Sequence, residues 1–236
     1  MDETLIENTL PFAQLFKDLY HSFDEQLGAE NFDLFIECFR QDAPILWQSM
    51  FDSPATPESQ LEQCFKRCIE ATNTVNHGGT KNIAAQMLER FLELSAKQVR
   101  FNPQAESTLS KLRELGITTG LITNGIEAIQ LGKVRALKLD EKMDSITVSA
   151  QARKHKPHAP VFELALSRAN ANAQDAWQVG DHATNDVAGG IRAGLGGIYY
   201  NPEKLDIEQE FSNLEERPTH IIECLSELIE LVETYS

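Results

Sequence analysis

The hydrophobic periodicity of this sequence changes after Phe101-Asn102-Pro103. Before that point, from about Leu10 to Gln98, apolar residues recur at helical spacing throughout. After it, short apolar runs alternate with amphipathic segments, which is typical of a parallel sheet whose strands are joined by helices. The sequence therefore predicts an α/β protein with a parallel sheet and, ahead of it in the chain, an all-helical segment.

The helical segment divides at turn signals. Thr56-Pro57 predicts a helix start, because threonine caps helices and proline suits their first turn. His77-Gly-Gly predicts a loop. Cys64 and Cys68 lie one helical turn apart, which favours a buried helix face over a metal site. The predicted helices include Asn31 to Phe51, Leu61 to Ala71 and Asn82 to Leu94.

The second half predicts alternating helices and strands. Ligands bind such sheets beyond the carboxyl ends of the strands, so the residues that follow each apolar run are the candidates for a site. The candidates are Thr123-Asn124-Gly125, the stretch from Ser149 to Pro157, and Gly180-Asp181. The predicted strands are Ile117 to Thr123, Ser145 to Ser149, Ala176 to Val179, Gly197 to Tyr200 and a short last one at Ile221 and Ile222. The predicted helices between them are Ala105 to Leu115, Gly125 to Ala136, Pro160 to Ala169 and Asn185 to Ala193.

Length and charge narrow the class of protein. The chain has 236 residues, enough for a core domain and a smaller inserted one. Its 21 Lys and Arg against 36 Asp and Glu give a net charge of −15, which argues against nucleic acid as a partner but allows a small anionic substrate. No apolar run approaches a membrane span, the N-terminus lacks signal-peptide features, and the four cysteines lack disulfide-scaffold spacing. These features predict a cytoplasmic protein without a membrane partner.

Asp181 and Asp186 form the strongest single candidate for a metal site. They flank a turn that follows the apolar run Trp177-Gln178-Val179. Mg²⁺ prefers oxygen ligands and keeps several waters, so one carboxylate can bind it directly while another holds a coordinated water. A turn aspartate followed by an acid in the first turn of a helix explains the same residues equally well.

Two further segments carry groups suited to a phosphate. Lys156-Pro157 presents a lysine in a loop, where a point charge can reach a phosphate oxygen, although a solvent-exposed surface lysine is the ordinary outcome. Thr123-Asn124-Gly125 places a hydroxyl and a backbone N–H at the entry to a helix, which suits a phosphate oxygen. The same residue types serve as a helix cap, and both roles can hold at once.

The N-terminal residues and the order of these segments together match the motif pattern of a known family. Met1-Asp2-Glu3-Thr4-Leu5 resembles the end of the first motif of the haloacid dehalogenase superfamily, Asp-x-Asp-x-Thr-Leu. In that register Thr123 matches the second motif, Lys156 the third, and Asp181 with Asp186 the fourth. The resemblance covers about Met1 to Asn201 and is closest to the branch of pyrimidine-type 5′-nucleotidases and related small-phosphoester phosphatases. It implies a catalytic core of residues 1–9 and 99–236, which is an α/β domain with a Rossmann-like, doubly wound parallel sheet. It also implies an inserted, all-helical C1-type cap of residues 10–98, which acts as a lid.

The resemblance also implies a role for each matched residue. Asp2 is the general acid and then the base, and its backbone carbonyl binds Mg²⁺. Thr123 and the Asn124 N–H bind the transferring phosphoryl group, while Lys156 neutralises charge on the nucleophile and phosphate. Asp181 binds Mg²⁺, and Asp186 either binds it or supports the site. The implied activity is Mg²⁺-dependent hydrolysis of a small phosphomonoester, such as a nucleoside monophosphate, through an aspartyl-phosphate.

One element of the family pattern lies outside this sequence. The nucleophilic aspartate belongs two residues before Asp2, at the end of a hydrophobic strand in the middle of the sheet. We therefore expect the chain as written to be inactive and poorly stable, with a gap or distortion at the sheet centre. In-frame codons for such a strand upstream of Met1 favour a misassigned start. A stop codon there favours a catalytically dead binding or regulatory protein. A phosphomutase, which shares the same core, is a third interpretation. No motif in residues 10–98 specifies the substrate, and none specifies the oligomeric state.

Overall fold

The computed structural model describes residues 1–72 and 77–235 and divides into two compact units. An α/β unit comprises Met1–Asn8, Val99–Gly125 and Val134–Ser236, and a helical unit comprises Thr9–Gln98 and Ile126–Lys133. The sequence division differs at Ile126–Lys133, which it places with the core. Ile126 and Ile129 pack into the hydrophobic cluster of the helical unit, which accounts for the difference.

The helical unit is built around an aromatic core. Phe16, Phe35 and Phe65 are fully buried in it. The predicted Thr56-Pro57 start is confirmed, since the Thr56 hydroxyl accepts a hydrogen bond from the Ser59 N–H at 3.2 Å. Cys64 and Cys68 are fully buried, as predicted. The helices are α1 (Phe12–His21), α2 (Asp24–Leu27), α3 (Phe32–Ser49), α4 (Pro57–Ala71) and α5 (His77–Lys97), with a 3₁₀ turn at Ala29–Asn31.

The loop predicted at His77-Gly-Gly is wrong, because α5 begins at His77. Glycine has a poor intrinsic helix propensity, and two in succession predict an interruption. The later turns of the same helix bury Ile83, Ala84, Met87 and Phe91 in the core of the unit. Tertiary packing of this kind commonly outweighs local propensity.

The α/β unit contains all seven described strands. They are β1 (Ile6–Asn8), β2 (Val99–Phe101), β3 (Gly120–Thr123), β4 (Ser145–Val148), β5 (Trp177–Gly180), β6 (Gly196–Tyr200) and β7 (His220–Ile222). The helices after β2 are α6 (Ala105–Glu114), α7 (Glu127–Ala136), α8 (Leu139–Lys142), α9 (Ser149–Ala152), α10 (Ala159–Ala169), α11 (Gly189–Arg192), α12 (Ile207–Glu210) and α13 (Glu227–Tyr235), with a 3₁₀ turn at Ala173–Asp175 and a π-helical segment at Ala183–Ala188. Most of α7 belongs to the helical unit, and the other helices in this list belong to the α/β unit.

Strands β1 and β2 form an antiparallel pair that the sequence does not predict. Ile6 lies opposite Phe101 and Asn8 opposite Val99. Each strand has only three residues, too few for an alternating pattern to stand out.

The parallel strands form two sheets rather than one. One has the order β3-β4 and the other β5-β6-β7, so β3 and β5 are edge strands among the strands that the structure describes. A cavity of about 530 Å³ is lined by residues of both edges, including Leu121 and Val179. This arrangement agrees with the gap expected at the centre of the sheet.

Within residues 1–72 and 77–235, no helix is both long and apolar enough to cross a bilayer.

Candidate active site

The polar residues singled out in the sequence follow the carboxyl ends of β3, β4 and β5. Thr123 is the last residue of β3 and is 2% exposed. Ser149 follows β4 and is fully buried, and Asp181 follows β5. Parallel strands carry their loops on one edge of a sheet, so these residues and the loop that bears Lys156 gather there.

A buried ion pair lies at the centre of this group. The Lys156 ammonium contacts the Asp186 carboxylate, and both side chains are less than a tenth exposed. The Lys156 Nζ also lies 3.4 Å from the carbonyl oxygen of Ile122, and the second Asp186 oxygen accepts the His182 N–H at 3.2 Å. The structure thus excludes a solvent-exposed surface lysine. Burying a charged group is costly unless it is paired and hydrogen-bonded, and each member of this pair is the partner of the other.

The side chain of Asn124 holds the backbone of Lys156 at two points. Its Oδ1 accepts the Lys156 N–H at 2.7 Å, and its Nδ2 donates to the Lys156 carbonyl oxygen at 3.1 Å. The peptide bond between Lys156 and Pro157 is cis. The sequence assigned only the Asn124 backbone N–H, because nothing in one sequence links two residues that are 32 positions apart.

Ser149 and His155 form a second link between the same loops. The Ser149 Oγ accepts the Gly125 N–H at 3.0 Å and lies 2.9 Å from the His155 Nδ1. Since that hydroxyl already accepts one proton, its own proton is available to Nδ1. Burial, followed by the nearby charge of His158, lowers the pKa of His155 to about 4, so the imidazole is neutral at neutral pH.

The pKa of His155 has a consequence for stability. The folded value, about 4, lies below the ordinary value of 6.5, so the unfolded chain binds more protons between these limits. The contribution of His155 is therefore present above pH 6.5 and is lost as the pH falls from 6.5 towards 4. We expect the urea midpoint to fall over that interval by more in the wild type than in His155→Gln. Parallel pH profiles of the two proteins would contradict this expectation.

Asp181 has a different environment from Asp186. The Thr4 hydroxyl donates to its Oδ1 at 2.6 Å, and Thr4 is itself buried. The sequence did not assign Thr4 a role. The Met1 ammonium lies within electrostatic range of Lys156, Asp186, Asp2 and Asp181: burial and then Lys156 lower its pKa, and the three carboxylates oppose that shift. These groups thus share one charged region of the α/β unit, in which Met1, Lys156 and Asp186 are buried and Asp2 and Asp181 are partly exposed.

The donor set fits a magnesium ion that retains much of its water. The described residues contain no group of three or more His, Cys, Asp or Glu side chains arranged to hold a metal. Mg²⁺ does not require one, because it is commonly held by one or two carboxylates and several waters. Asp181 offers its second oxygen, whereas both Asp186 oxygens already accept hydrogen bonds. The geometry therefore favours Asp181 as the direct ligand and Asp186 as the partner of Lys156.

Gly180 is required where β5 meets this region. A Cβ at this position would overlap the Asp186 carboxyl group. We expect Gly180→Ala to lower the free energy of unfolding by about 1–3 kcal/mol, as overpacking of a tight core does. Gly120→Ala is the matched control, since its Cβ would lie 3.1 Å from the Ser145 Oγ, which can rotate away. Equal urea midpoints for the two variants would contradict the close packing of Gly180 on Asp186.

Comparison with known proteins now places the chain in a family. The model of the haloacid dehalogenase-like hydrolases matches residues 1–199, and the chain belongs to this family of hydrolases. It is 30% identical over 172 residues to a ribulose-1,5-bisphosphate 5-phosphatase of Halopiger xanaduensis, covering 71% of this chain and 70% of that protein. It is 26% identical to the pyrimidine 5′-nucleotidase PynA of Streptococcus pneumoniae, covering 80% of this chain and 75% of that protein.

The fold is shared with a solved relative. A 2-haloacid dehalogenase from Pseudomonas syringae pv. Tomato DC3000 superposes with a TM-score of 0.78 and 24% identity, covering 100% of this chain and 97% of that chain. The resemblance in the sequence and the predicted doubly wound fold with a helical insertion are thereby confirmed. The identity to this dehalogenase is low enough that the likeness concerns the fold and not the reaction.

Proposed function

We propose that this chain provides the catalytic machinery of a Mg²⁺-dependent phosphomonoester hydrolase that acts on a small phosphorylated metabolite. The observation that carries the proposal is the buried Lys156–Asp186 pair, fixed by Asn124 beside the end of β3. A preorganised cation in a water-poor site stabilises the charge that develops on the equatorial oxygens during phosphoryl transfer.

In the proposed reaction, a carboxylate oxygen attacks phosphorus and the bond from phosphorus to the leaving oxygen breaks. The Asp2 carboxyl gives its proton to that oxygen, so the alcohol departs neutral and an aspartyl-phosphate remains. Asp2 then takes a proton from water as the water oxygen attacks phosphorus, which releases phosphate and restores the carboxylate. The resemblance assigns the attacking carboxylate to the position directly before Met1.

The other site residues bind and orient the phosphoryl group. In the proposal the Thr123 hydroxyl and the Asn124 N–H donate to its oxygens, and Lys156 neutralises charge. Asp181, together with the Asp2 carbonyl, holds Mg²⁺, which supplies Lewis-acid stabilisation of the phosphoryl oxygens. Asp186 pairs with Lys156 and holds its ammonium in place.

We also propose the substrate class from the named activities of the relatives. One relative is named as a sugar bisphosphate phosphatase and another as a pyrimidine nucleotidase, so small sugar phosphates and nucleoside monophosphates are the first candidates. We assign substrate selection to residues 10–98 as a cap, on the basis of the sequence resemblance.

The test is phosphate release from a panel of both substrate classes, with and without Mg²⁺. The protein used carries an Asp-terminated strand of about eight residues ahead of Met1. Mg²⁺-dependent turnover of one class supports the proposal. Tight phosphoester binding without any release would instead support a binding protein.

A further inference from the structure

Asn102 is a buried asparagine whose side chain reaches a distant segment of the α/β unit. It directly follows β2 and is 8% exposed. Its Nδ2 donates to the carbonyl oxygen of Thr4 at 2.8 Å, and its backbone N–H donates to the carbonyl oxygen of Leu5 at 2.9 Å. A loop asparagine commonly bonds to backbone groups a few residues away, whereas this amide bonds to a residue 98 positions away.

The residue that Asn102 holds is in direct contact with the proposed metal ligand. Thr4 is 5% exposed, and its hydroxyl donates to the Oδ1 of Asp181 at 2.6 Å. The three residues therefore form one chain of hydrogen bonds, which runs from the Asn102 amide through the backbone and hydroxyl of Thr4 to the Asp181 carboxylate. All three belong to the α/β unit.

The orientation of the Asp181 carboxylate depends on such a contact. Strand β5 ends at Gly180, so the strand pairing does not hold the residue that follows it. The terminal torsion of an aspartate side chain has broad energy wells, so rotamer preference alone does not fix the carboxylate. The hydrogen bond from Thr4 selects one orientation, in which Oδ1 accepts the hydroxyl proton and the second oxygen is offered to a metal.

The backbone of Asn102 is itself anchored on both sides. Its N–H bond to Leu5 continues the pairing of β1 with β2 by one residue past Ile6 and Phe101. Its carbonyl oxygen accepts the N–H of Ala105, the first residue of α6, at 3.1 Å. These backbone bonds do not require an asparagine. The contribution that does require one is the bond from its amide to the Thr4 carbonyl oxygen.

We propose that Asn102 is a positioning residue, which fixes the carboxylate of Asp181 through the backbone and hydroxyl of Thr4. Loss of the amide lets the Thr4 backbone shift, which weakens the hydroxyl contact to Asp181. Removal of a group that orients a metal ligand typically lowers metal affinity by about 10–100-fold. The effect on metal binding rests on the proposed Mg²⁺ site, whereas the coupling of Asn102 to Asp181 does not.

A double-mutant cycle in the metal-free 236-residue chain tests the coupling. Asn102→Ala removes the amide, and Thr4→Val removes the hydroxyl while keeping a β-branched side chain. Substitutions within one hydrogen-bond network are not additive. We expect Asn102→Ala to lower the urea midpoint by less in the Thr4→Val background than in the wild type. If Asn102→Ala does not fold, Asn102→Asp replaces it, since an ionised carboxylate has the same shape and no proton to donate.

Binding of Mn²⁺, followed by its electron paramagnetic resonance signal, measures the consequence for the metal. Carboxylate and water ligands suit Mn²⁺ as they suit Mg²⁺. We expect Asn102→Ala and Thr4→Val each to weaken Mn²⁺ binding about tenfold or more, and their combination to add little. Thr4→Ser is expected to bind Mn²⁺ like the wild type, because serine keeps the hydroxyl.

Asn201→Ala is the matched control. Asn201 is 5% exposed, belongs to the same unit and donates from its amide to the carbonyl oxygen of Leu205 at 3.0 Å. Its loss is expected to lower the urea midpoint and to leave Mn²⁺ affinity unchanged. A loss of Mn²⁺ affinity in Asn201→Ala as large as in Asn102→Ala would show a general effect of instability and would overturn the proposal.

The two measurements separate this proposal from the proposed function. Coupling in the urea cycle together with weaker Mn²⁺ binding in Asn102→Ala supports the positioning role and the metal site. Coupling in the urea cycle without any Mn²⁺ binding by the wild type supports the positioning of Asp181 and rejects the proposed metal site in this chain. Additive urea effects with unchanged Mn²⁺ affinity in Asn102→Ala overturn the positioning role and leave the proposed hydrolase in place.

Discussion

Lys156→Met is expected to lower the free energy of unfolding by about 3–5 kcal/mol, because it leaves a buried Asp186 carboxylate without its cation. The side chain of Asp186 is 7% exposed, so water compensates little for the lost contact. Methionine retains the length and apolar stem of lysine, so the variant removes mainly the charge. Denaturant unfolding of the wild type and the variant at neutral pH measures the difference.

The double variant Lys156→Met/Asp186→Leu is the control for that effect. Replacing both members of a buried ion pair with apolar residues of similar volume is often neutral or stabilising. We therefore expect the double variant to be more stable than Lys156→Met alone. A double variant as unstable as the single one would show that the pair is not what stabilises this region. In the catalytically complete protein, Lys156→Met is also expected to lower turnover by about 10²-fold or more, and His155→Gln by much less.

Asp181→Asn is expected to lower Mg²⁺-dependent turnover by about 10²–10³-fold, since it removes the proposed carboxylate ligand of the metal. The amide oxygen of asparagine can still accept the Thr4 hydroxyl hydrogen bond, so the fold is expected to persist. Calorimetric titration with Mg²⁺ gives a second readout that does not depend on turnover. We expect weaker Mg²⁺ binding in the variant.

Glu203→Ala is the matched control for Asp181→Asn, because Glu203 is an exposed acid in the same unit. It is expected to leave Mg²⁺ affinity and turnover unchanged. Asp186→Ala is expected to have a severe but smaller effect, since its carboxylate acts on Lys156. A larger loss of Mg²⁺ affinity in Asp186→Ala than in Asp181→Asn would reverse the roles of the two carboxylates.

The sequence predicts the strands of the parallel sheets well, because their apolar runs are bounded by clear turn residues. Ser145 to Ser149 and Gly197 to Tyr200 lie within one residue of β4 and β6. The run Ile117 to Thr123 starts three residues too early, because Ile117, Thr118 and Thr119 are β-branched residues of the kind found in strands, whereas the strand begins at Gly120. The helix expected at Asn185 to Ala193 is instead a π-helical segment, Ala183–Ala188, followed by α11. Periodicity does not distinguish these helix types over so few residues.

The candidate site is likewise only partly predictable from the sequence. Motif order identified Asp2, Thr123, Lys156, Asp181 and Asp186 as residues to examine. The hydrogen bonds from the Asn124 side chain to the Lys156 backbone and the Thr4–Asp181 hydrogen bond join segments that are far apart in the chain. A single sequence does not show which distant segments come into contact. The burial of Lys156 is also not predictable from the sequence, since a lysine before proline in a polar loop is ordinarily exposed.

The most direct test of the account is phosphate release by the protein extended ahead of Met1 with an apolar strand ending in Asp, compared with the same protein ending in Asn. The two proteins differ in one atom group at the proposed nucleophile and share every other site residue. We predict Mg²⁺-dependent turnover of a small phosphomonoester by the Asp form, and none above background by the Asn form or the 236-residue chain alone. An ordinary enzymatic rate from the 236-residue chain, or equal rates from the Asp and Asn forms, would contradict the account.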